Sequence, residues 1–495
     1  MLNRREQDDS YRHVLKYTGV FGGVQGLKII VALVRNKLTA RLLGEAGMGL
    51  NKRFMNVAEV LNAWTNFGIP FYAVRRISEL YEEGTDDDMR RFVDVIRTWG
   101  VWSALLGALI CFFFASWLND YYFPVGEHHR VEIMLISLYV AAMPIEAVEC
   151  SLLKGIRRLR TVAFVEVLAA LFTFVFTVPV YFLFGIRGVA LSLVLCGWSV
   201  ALVHLFFSVR VYSYRVHLFS RSVVREGWPL IRIGIPYVLA GVAGAMATGE
   251  VFKSLGDDAT VGLYSVGYGL MVTYAGMVFS ALENDFFPRL SSVNHDTTRL
   301  NHAINQQIDV CVQLIAPVMI LFIMAMPWLI RLLYSSDFLP ALSMTICAAF
   351  YMFFRAVTTP IAYTSLAKGD SWVYLIMECA YDVAFVFMLR WGYAQMGLTG
   401  AGIALSFAAL FDLLMIGTTY ALYYHYRLRL RTLRLIFLHG LLLGVAVAAC
   451  LWLGGWQKFL LGFVCLFLSS WLTLRSLSTD LPLIQKVRQR FTRNS

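Results

Sequence analysis

The sequence predicts an all-α polytopic membrane protein of about 14 transmembrane helices, arranged as two parallel-repeat six-helix lobes plus two C-terminal helices. Three observations carry that prediction. The 495 residues are 58% hydrophobic, 15% aromatic and only 15% charged, more apolar surface than a water-facing globule can bury. Apolar segments of about 20 or more residues recur along the chain, each able to cross a hydrocarbon core of about 30 Å as a helix. Short phrases also recur in the same order, 212 to 214 positions apart.

Taken in order, the expected spans are 14–43, 49–73, 98–118, 131–152, 162–184 and 188–209 in an N-terminal lobe, residues 1–220. Spans 230–253, 261–287, 307–330, 341–366, 373–391 and 398–422 form a C-terminal lobe, residues 221–426. Spans 435–454 and 458–474, with a basic tail, complete residues 427–495. The opening "MLNRREQDDSYRH" runs straight into the first span, without the apolar core and small-residue cleavage site of a signal peptide, so the first helix is expected to stay. After the second span, "TDDDMRRFVDVIR" reads as a short surface helix with Thr85 as N-cap and Asp86, Asp87 and Asp88 at the positive end of its dipole, or else as solvated charge. The Arg-rich stretch from Arg210 to Arg225 is the inter-lobe linker. Near the end, "LPLIQKVRQRF" sets Leu483, Ile484, Val487 and Phe491 opposite its basic residues, consistent with lying on the inner leaflet or with a frayed tail.

The repeat is legible in four places. "LLGEAGMGL" from Leu42 returns as "SLGDDATVGLY" from Ser254, placing Gly44 and Gly256 212 positions apart. "RIS" at Arg76 returns as "RLS" at Arg289, "SLLKG" at Ser151 as "SLAKG" at Ser365, and "GIRGVALS" at Gly185 as "GLTGAGIALS" at Gly397. Each match alone is weak; four in one order at nearly one offset are hard to attribute to chance. A unit of six spans returns the chain to its starting side, so both copies share one orientation, an architecture that places a substrate site between two rocking lobes.

The net charge of +11 follows topology rather than a nucleic-acid surface. Connections bearing Arg75, Arg76, Arg90, Arg91 and Arg97; Lys154, Arg157, Arg158 and Arg160; the linker; Arg427, Arg429, Arg431 and Arg434; and both termini fall on one side. The opposite connections hold about one basic residue each, among them Arg130, Arg187, Lys253, Arg331, Arg390 and Lys458. Basic short loops stay inside, so both termini are expected in the cytoplasm. Eight cysteines scattered singly through apolar segments make neither a disulfide framework nor a metal site. The nine histidines include no H-E-x-x-H and stand mostly near expected helix ends. Without a G-x-x-x-x-G-K-[ST] loop, ATP is not expected as the direct energy source. No cofactor and no catalytic residue is expected.

"YTGVFGGVQG", "VRNK", "LLGEAGMGL" and "RRISELYEEG", in that order, resemble the N-terminal lobe of bacterial polysaccharide-export flippases, the Wzx-type O-antigen translocases of the multidrug/oligosaccharidyl-lipid/polysaccharide exporter superfamily. The resemblance is strongest over residues 14–84. It implies flipping of an undecaprenyl-pyrophosphate-linked oligosaccharide across the bacterial inner membrane by alternating access, coupled to a proton or sodium gradient. A working link to glycan polymerisation and export machinery would follow. Family members line their cavity with cations, and "VRNKLTARLLG" puts Arg35 where the lipid II flippase has a first-helix Arg. The acidic sites of some drug antiporters have no match here.

A charge at the bilayer centre costs about 2.5–3.5 kcal/mol on insertion scales, so deep charges need a cavity or a partner. Lys28, twelve residues beyond Lys16, and Arg355, thirteen before Lys368, stand near mid-membrane. Gln25, Lys28 and Arg35 share one helix face; Lys52, Asn56, Glu59 and Asn66 share another. The substrate-binding candidates are therefore Lys28, Arg35, Lys52, Glu59, Asn66 and Arg355, with Lys28 and Arg35 suited to pyrophosphate and Lys52 with Glu59 alternatively neutralising each other. Glu378 and Asp382, one turn apart, are the ion-coupling candidates, or else partners of Arg355. Asp412 is read as a helix-helix hydrogen bond. Glu146, Glu149, Glu166 and Glu283 are read as snorkelling pairs with nearby cytoplasmic Arg or Lys, and Glu250 as a partner of Lys253. The rival readings are a drug or cation antiporter of the same superfamily and a membrane-embedded glycan polymerase or acyltransferase. The short outer loops and the repeat weigh against the second.

Overall fold

The computed structural model describes residues 4–274, 276, 286, 290–291 and 293–480, and every regular element among them is helical. The chain divides into two compact units. The first comprises Met1–Gly262 with Leu333–Ser335, the second Leu263–Leu332 with Ser336–Ser495. In the first unit run α1 (Arg4–Thr65), α2 (Ile69–Glu83), α3 (Asp86–Phe113), α4 (Ala115–Tyr122), α5 (Arg130–Gly155), α6 (Leu159–Phe184), α7 (Val189–Val209) and α8 (Arg221–Leu255). Helix α9 (Asp258–Gly269) leads out of it. The second unit holds α10 (Thr297–Leu333), α11 (Leu342–Cys347), α12 (Ala349–Lys368), α13 (Ser371–Tyr423), α14 (Leu430–Trp452) and α15 (Gln457–Asp480).

The repeated phrases mark the turns. Gly44 breaks α1 at φ 64° and Gly256 ends α8 at φ 86°, while Gly185 (φ 53°, ψ −136°) and Gly397 (φ 57°, ψ −141°) adopt almost the same conformation at their equivalent breaks. These are left-handed angles that a Cβ disfavours, so the glycines survive where the surrounding sequence has drifted. Arg289 and most of the later part of span 261–287 fall outside the described residues, as does the 481–491 segment.

Three expected boundaries change. The second span does not run unbroken to residue 73: α1 stops at Thr65, and the Asn66 side-chain oxygen accepts the Gly68 amide at 2.8 Å in a turn that hands over to α2, with Pro70 in its first turn. The surface helix at Thr85 is not separate but the first turns of α3, which continues into the third span. Its cap is as expected. The Thr85 hydroxyl accepts the Asp88 amide at 3.2 Å and also donates to the Asp88 carboxylate at 2.7 Å, which holds that carboxyl below its usual range. Finally, the first compact unit extends past residue 220, because α8 packs on α1, α2, α3 and α4. The sequence repeat and the packing therefore divide the chain at different places.

By length and apolarity, eight described helical stretches can cross a membrane, or nine if the bent pair Ser336–Cys347 and Ala349–Lys368 is one span. Two of the eight, Arg160–Val209 and Ser371–Tyr423, each contain two of the expected spans, separated at Gly185 and Gly397.

Within the first unit α5 lies between α3 and α7, and α1 packs on α6 and α8. Among the described residues its core includes one cluster around Leu50, Phe54, Val57, Ile133, Ile136 and Val189 and another around Ile69, Ile77, Met89, Ile96, Leu152 and Val165. Small residues let the backbones meet, as membrane helix packing requires. A Cβ built on Gly49 of α1 would fall 1.7 Å from the Asp258 carbonyl oxygen, and one on Gly262 would fall 2.0 Å from the Glu45 carbonyl oxygen. Nothing larger than glycine fits at either place. On α6, Phe164, Phe172, Phe182 and Leu183 are exposed, an outward face for lipid.

Candidate functional site

The first unit gathers a cationic group from α1. Lys52 lies within electrostatic reach of Glu59, two turns further along the helix, and of Arg35 from before the Gly44 break. Lys52 and Arg35 are half-buried and Glu59 is exposed. Arg35 makes only a 3.4 Å bond to Asn36, and among the described residues no ion pair involves it. Tyr181 of α6 and Cys196 of α7 face its charge, and Tyr139 of α5 faces Glu59. Two cations against one carboxylate leave net positive charge on an accessible surface.

The other expected members of that surface are placed differently. Lys28 pairs with Glu166 of α6, 138 positions away, so Glu166 is not a snorkelling partner of a nearby cytoplasmic base and Lys28 is not an unpaired cavity cation. Asn56 is buried and donates to the Ala245 carbonyl of α8 at 2.9 Å. Asn66 serves the turn before α2. The Gln25 side chain and Glu283 lie outside the described residues.

Two buried arginines were not singled out by sequence reasoning, Arg53 altogether and Arg97 as anything but a loop charge. Arg53 is 2% exposed and donates Nε to Asp258 at 2.6 Å, Nη1 to the Tyr122 carbonyl at 2.9 Å and Nη2 to the Gly256 carbonyl. One guanidinium thus joins α1, the end of α4 and the α8–α9 turn. Arg97 forms a bidentate pair with Glu149 at 2.8 and 2.9 Å, both side chains at most 1% exposed, and donates to the carbonyls of Tyr212 and Ser213 at 3.1 and 2.9 Å. Glu149 therefore does not snorkel, and the linker after α7 is tied to the core of the unit. Glu250 does pair with Lys253, at 3.1 Å, and also accepts the Tyr121 hydroxyl at 2.7 Å. His204 and His439 are buried within α7 and α14, not at interfaces.

The second unit gathers an acidic group. Arg355 of α12 stands 3.8 Å from Asp412 of α13, which is buried. Asp412 is thus an ion-pair partner, not simply a helix-helix hydrogen bond. Glu378 and Asp382, one turn apart on α13, lie within electrostatic reach of each other, and Glu378 also of Arg355. Tyr351 and Tyr381 face the guanidinium as well. Three carboxylates share one fixed cation, an arrangement that can take up a further cation or a proton.

A family profile described as polysaccharide biosynthesis protein matches residues 38–343. No curated protein matches. Among solved structures, the lipid II flippase MurJ in an inward closed conformation superposes with a TM-score of 0.69 at 14% identity, covering 92% of this chain and 99% of that one. An inward-facing multidrug resistance MATE transporter gives 0.62 at 14% identity, covering 80% and 94%. A MOP superfamily transporter from Pyrococcus furiosus, described as having a binding pocket of reverse polarity, gives 0.54 at 15% identity, covering 81% and 93%. At such identities the likeness fixes the fold, and the matched structures are transporters rather than enzymes. The chain therefore belongs to the polysaccharide biosynthesis protein family and is a multi-pass membrane protein that shares its fold with MurJ and the MATE transporter.

Proposed function

We propose that this protein flips an undecaprenyl-pyrophosphate-linked oligosaccharide from the inner to the outer leaflet of the bacterial inner membrane, with both termini in the cytoplasm and the polyprenyl tail left in lipid. The observation that carries this reading is a polysaccharide family match on a lipid II flippase fold, together with the accessible Arg35 and Lys52 pair. Arg35 holds no carboxylate partner among the described residues, so its planar fork is available for bidentate contact with pyrophosphate. In this reading Glu378, Asp382 and Asp412 carry the coupling proton or sodium ion, and glycan polymerisation and export machinery takes the product. A drug or cation antiporter is the second reading, favoured by the net negative group around Arg355 and by the MATE fold match.

The test uses proteoliposomes carrying a polyprenyl-pyrophosphate oligosaccharide and an externally added glycosidase. Purified protein should expose inner-leaflet glycan above protein-free vesicles, and Arg35→Ala should slow exposure at least tenfold. No exposure across several glycans, with gradient-driven efflux of an organic cation instead, would overturn the reading in favour of the antiporter.

A further inference from the structure

Three ligating side chains meet in the first unit on helices outside the Arg35 and Lys52 group: Glu146 and Cys150, one turn apart on α5, and His204 on α7. One oxygen of Glu146, the Cys150 sulfur and a His204 ring nitrogen all lie within 4.8 Å of one another. His204 is 3% exposed, and its Nδ1 lies 3.0 Å from the Val200 carbonyl one turn earlier on its own helix. A carbonyl only accepts, so Nδ1 carries a proton and Nε2 is the ring nitrogen left for another partner. That Nε2 is buried and has no hydrogen-bond partner, and it points at Glu146 Oε1 from 3.6 Å.

A proton or a metal ion held between the two atoms would satisfy both, and the Cys150 sulfur beside them supplies a third ligand atom for a metal. Metal–ligand bonds of about 2.0–2.3 Å at tetrahedral angles set ligand atoms about 3.3–3.8 Å apart. The His204–Glu146 separation already has that value, and the remaining edges are no longer than 4.8 Å, with Glu146 and Cys150 half-buried. Lys154, a turn beyond Cys150, hydrogen-bonds the sulfur. Glu166, the partner of Lys28, adds a second nearby carboxylate.

We propose that Glu146, Cys150 and His204 bind a thiophilic divalent cation of the zinc class, joining α5 to α7 and leaving one coordination position open. Imidazole and thiolate select such an ion over sodium, calcium or magnesium, which prefer all-oxygen sites. No sequence motif announces the site, because its ligands are split between two helices 54 positions apart.

The full chain, purified in detergent after chelation, is titrated with cobalt(II), whose thiolate charge-transfer band in the near ultraviolet appears only when a cysteine is a ligand. A saturable band of one cobalt per chain, displaced by zinc, is expected. Cys150→Ser should abolish the band, His204→Gln should weaken cobalt binding at least tenfold, and Cys111→Ser should leave both unchanged. Thermal unfolding of the metal-free variants checks that each is folded. Absence of a saturable band in the parent protein, a band that persists in folded Cys150→Ser, or a band lost with Cys111 would overturn the proposal. None of these readouts depends on transport.

Discussion

Replacing Arg53 by Met keeps the length of the side chain and removes its three interactions. Hydrogen bonds to charged groups contribute about 1.5–3 kcal/mol each, and removing one member of a buried ion pair costs about 3–5 kcal/mol. Asp258 keeps 14% of its side chain exposed, so water can resolvate it when the clamp opens, and the lower end, about 3 kcal/mol, applies. At 1.36 kcal/mol per factor of ten, the closed arrangement of α1, the end of α4 and the α8–α9 turn should lose about 100-fold in population relative to its local opening. Hydrogen exchange measured by mass spectrometry reads this directly, because amides released by a local opening exchange in proportion to its equilibrium constant. Residues 119–123 and 253–262 should lose about two decades of protection, while the amides of α5 stay as they are. Arg53→Lys, which keeps the charge but not the fork, should fall between. Combined with Asp258→Asn, Arg53→Met should cost much less than the sum of the two single effects, since the second change removes a partner already lost. Unchanged protection in both segments of a folded Arg53→Met protein would refute the clamp.

Arg97→Met should be more damaging than Glu149→Gln, because it strands a carboxylate among apolar helices at a cost of about 3–5 kcal/mol and frees the Tyr212 and Ser213 carbonyls; a thermal melt in detergent that ranks them the other way would contradict this. Gly49→Ala should destabilise by about 1–3 kcal/mol, since its Cβ meets backbone and not a movable side chain. Adding Gly262→Ala should cost less than its own single effect, because one separation of α1 from α9 relieves both clashes; full additivity in chemical or thermal denaturation would count against a shared contact. Neutralising Glu378, Asp382 and Asp412 together should abolish the dependence of transport on the ion gradient while leaving protein expression intact. Transport that still follows the gradient would remove this group from coupling.

What the sequence disclosed was whatever depends on local order. Gly44, Gly256, Gly185 and Gly397 were visible because a left-handed turn tolerates few substitutes, and the Thr85 cap because its partner is three residues away. The interrupted second span was also written locally, in "TNFGIP", but its apolar flanks outweighed the Gly and Pro signal. Charge pairing is not legible from neighbourhood along the chain, because Lys28 finds Glu166, Arg53 finds Asp258 and Arg97 finds Glu149 on other helices. A deep charge announces that it needs a partner without saying which helix supplies it. The pairing of Arg355 with Asp412 is hidden in the same way, whereas Glu378 on the next helix stands near Arg355 as its sequence position suggests.

The close approach of α1 and α9 has a symmetry of its own. Glu45 and Gly49 correspond to Asp258 and Gly262 at a common offset of 213, so the carbonyl of each first residue faces the glycine of the opposite copy. That is the geometry of an isologous contact, the kind two identical chains make around a twofold axis. In a true homodimer every side chain near the axis would occur twice. Here the equivalent of Arg53 is Val266, so the guanidinium clamp exists on one side only. Carrying both copies on one chain is what permits a symmetric seam to be fastened asymmetrically, with its two sides free to differ in strength.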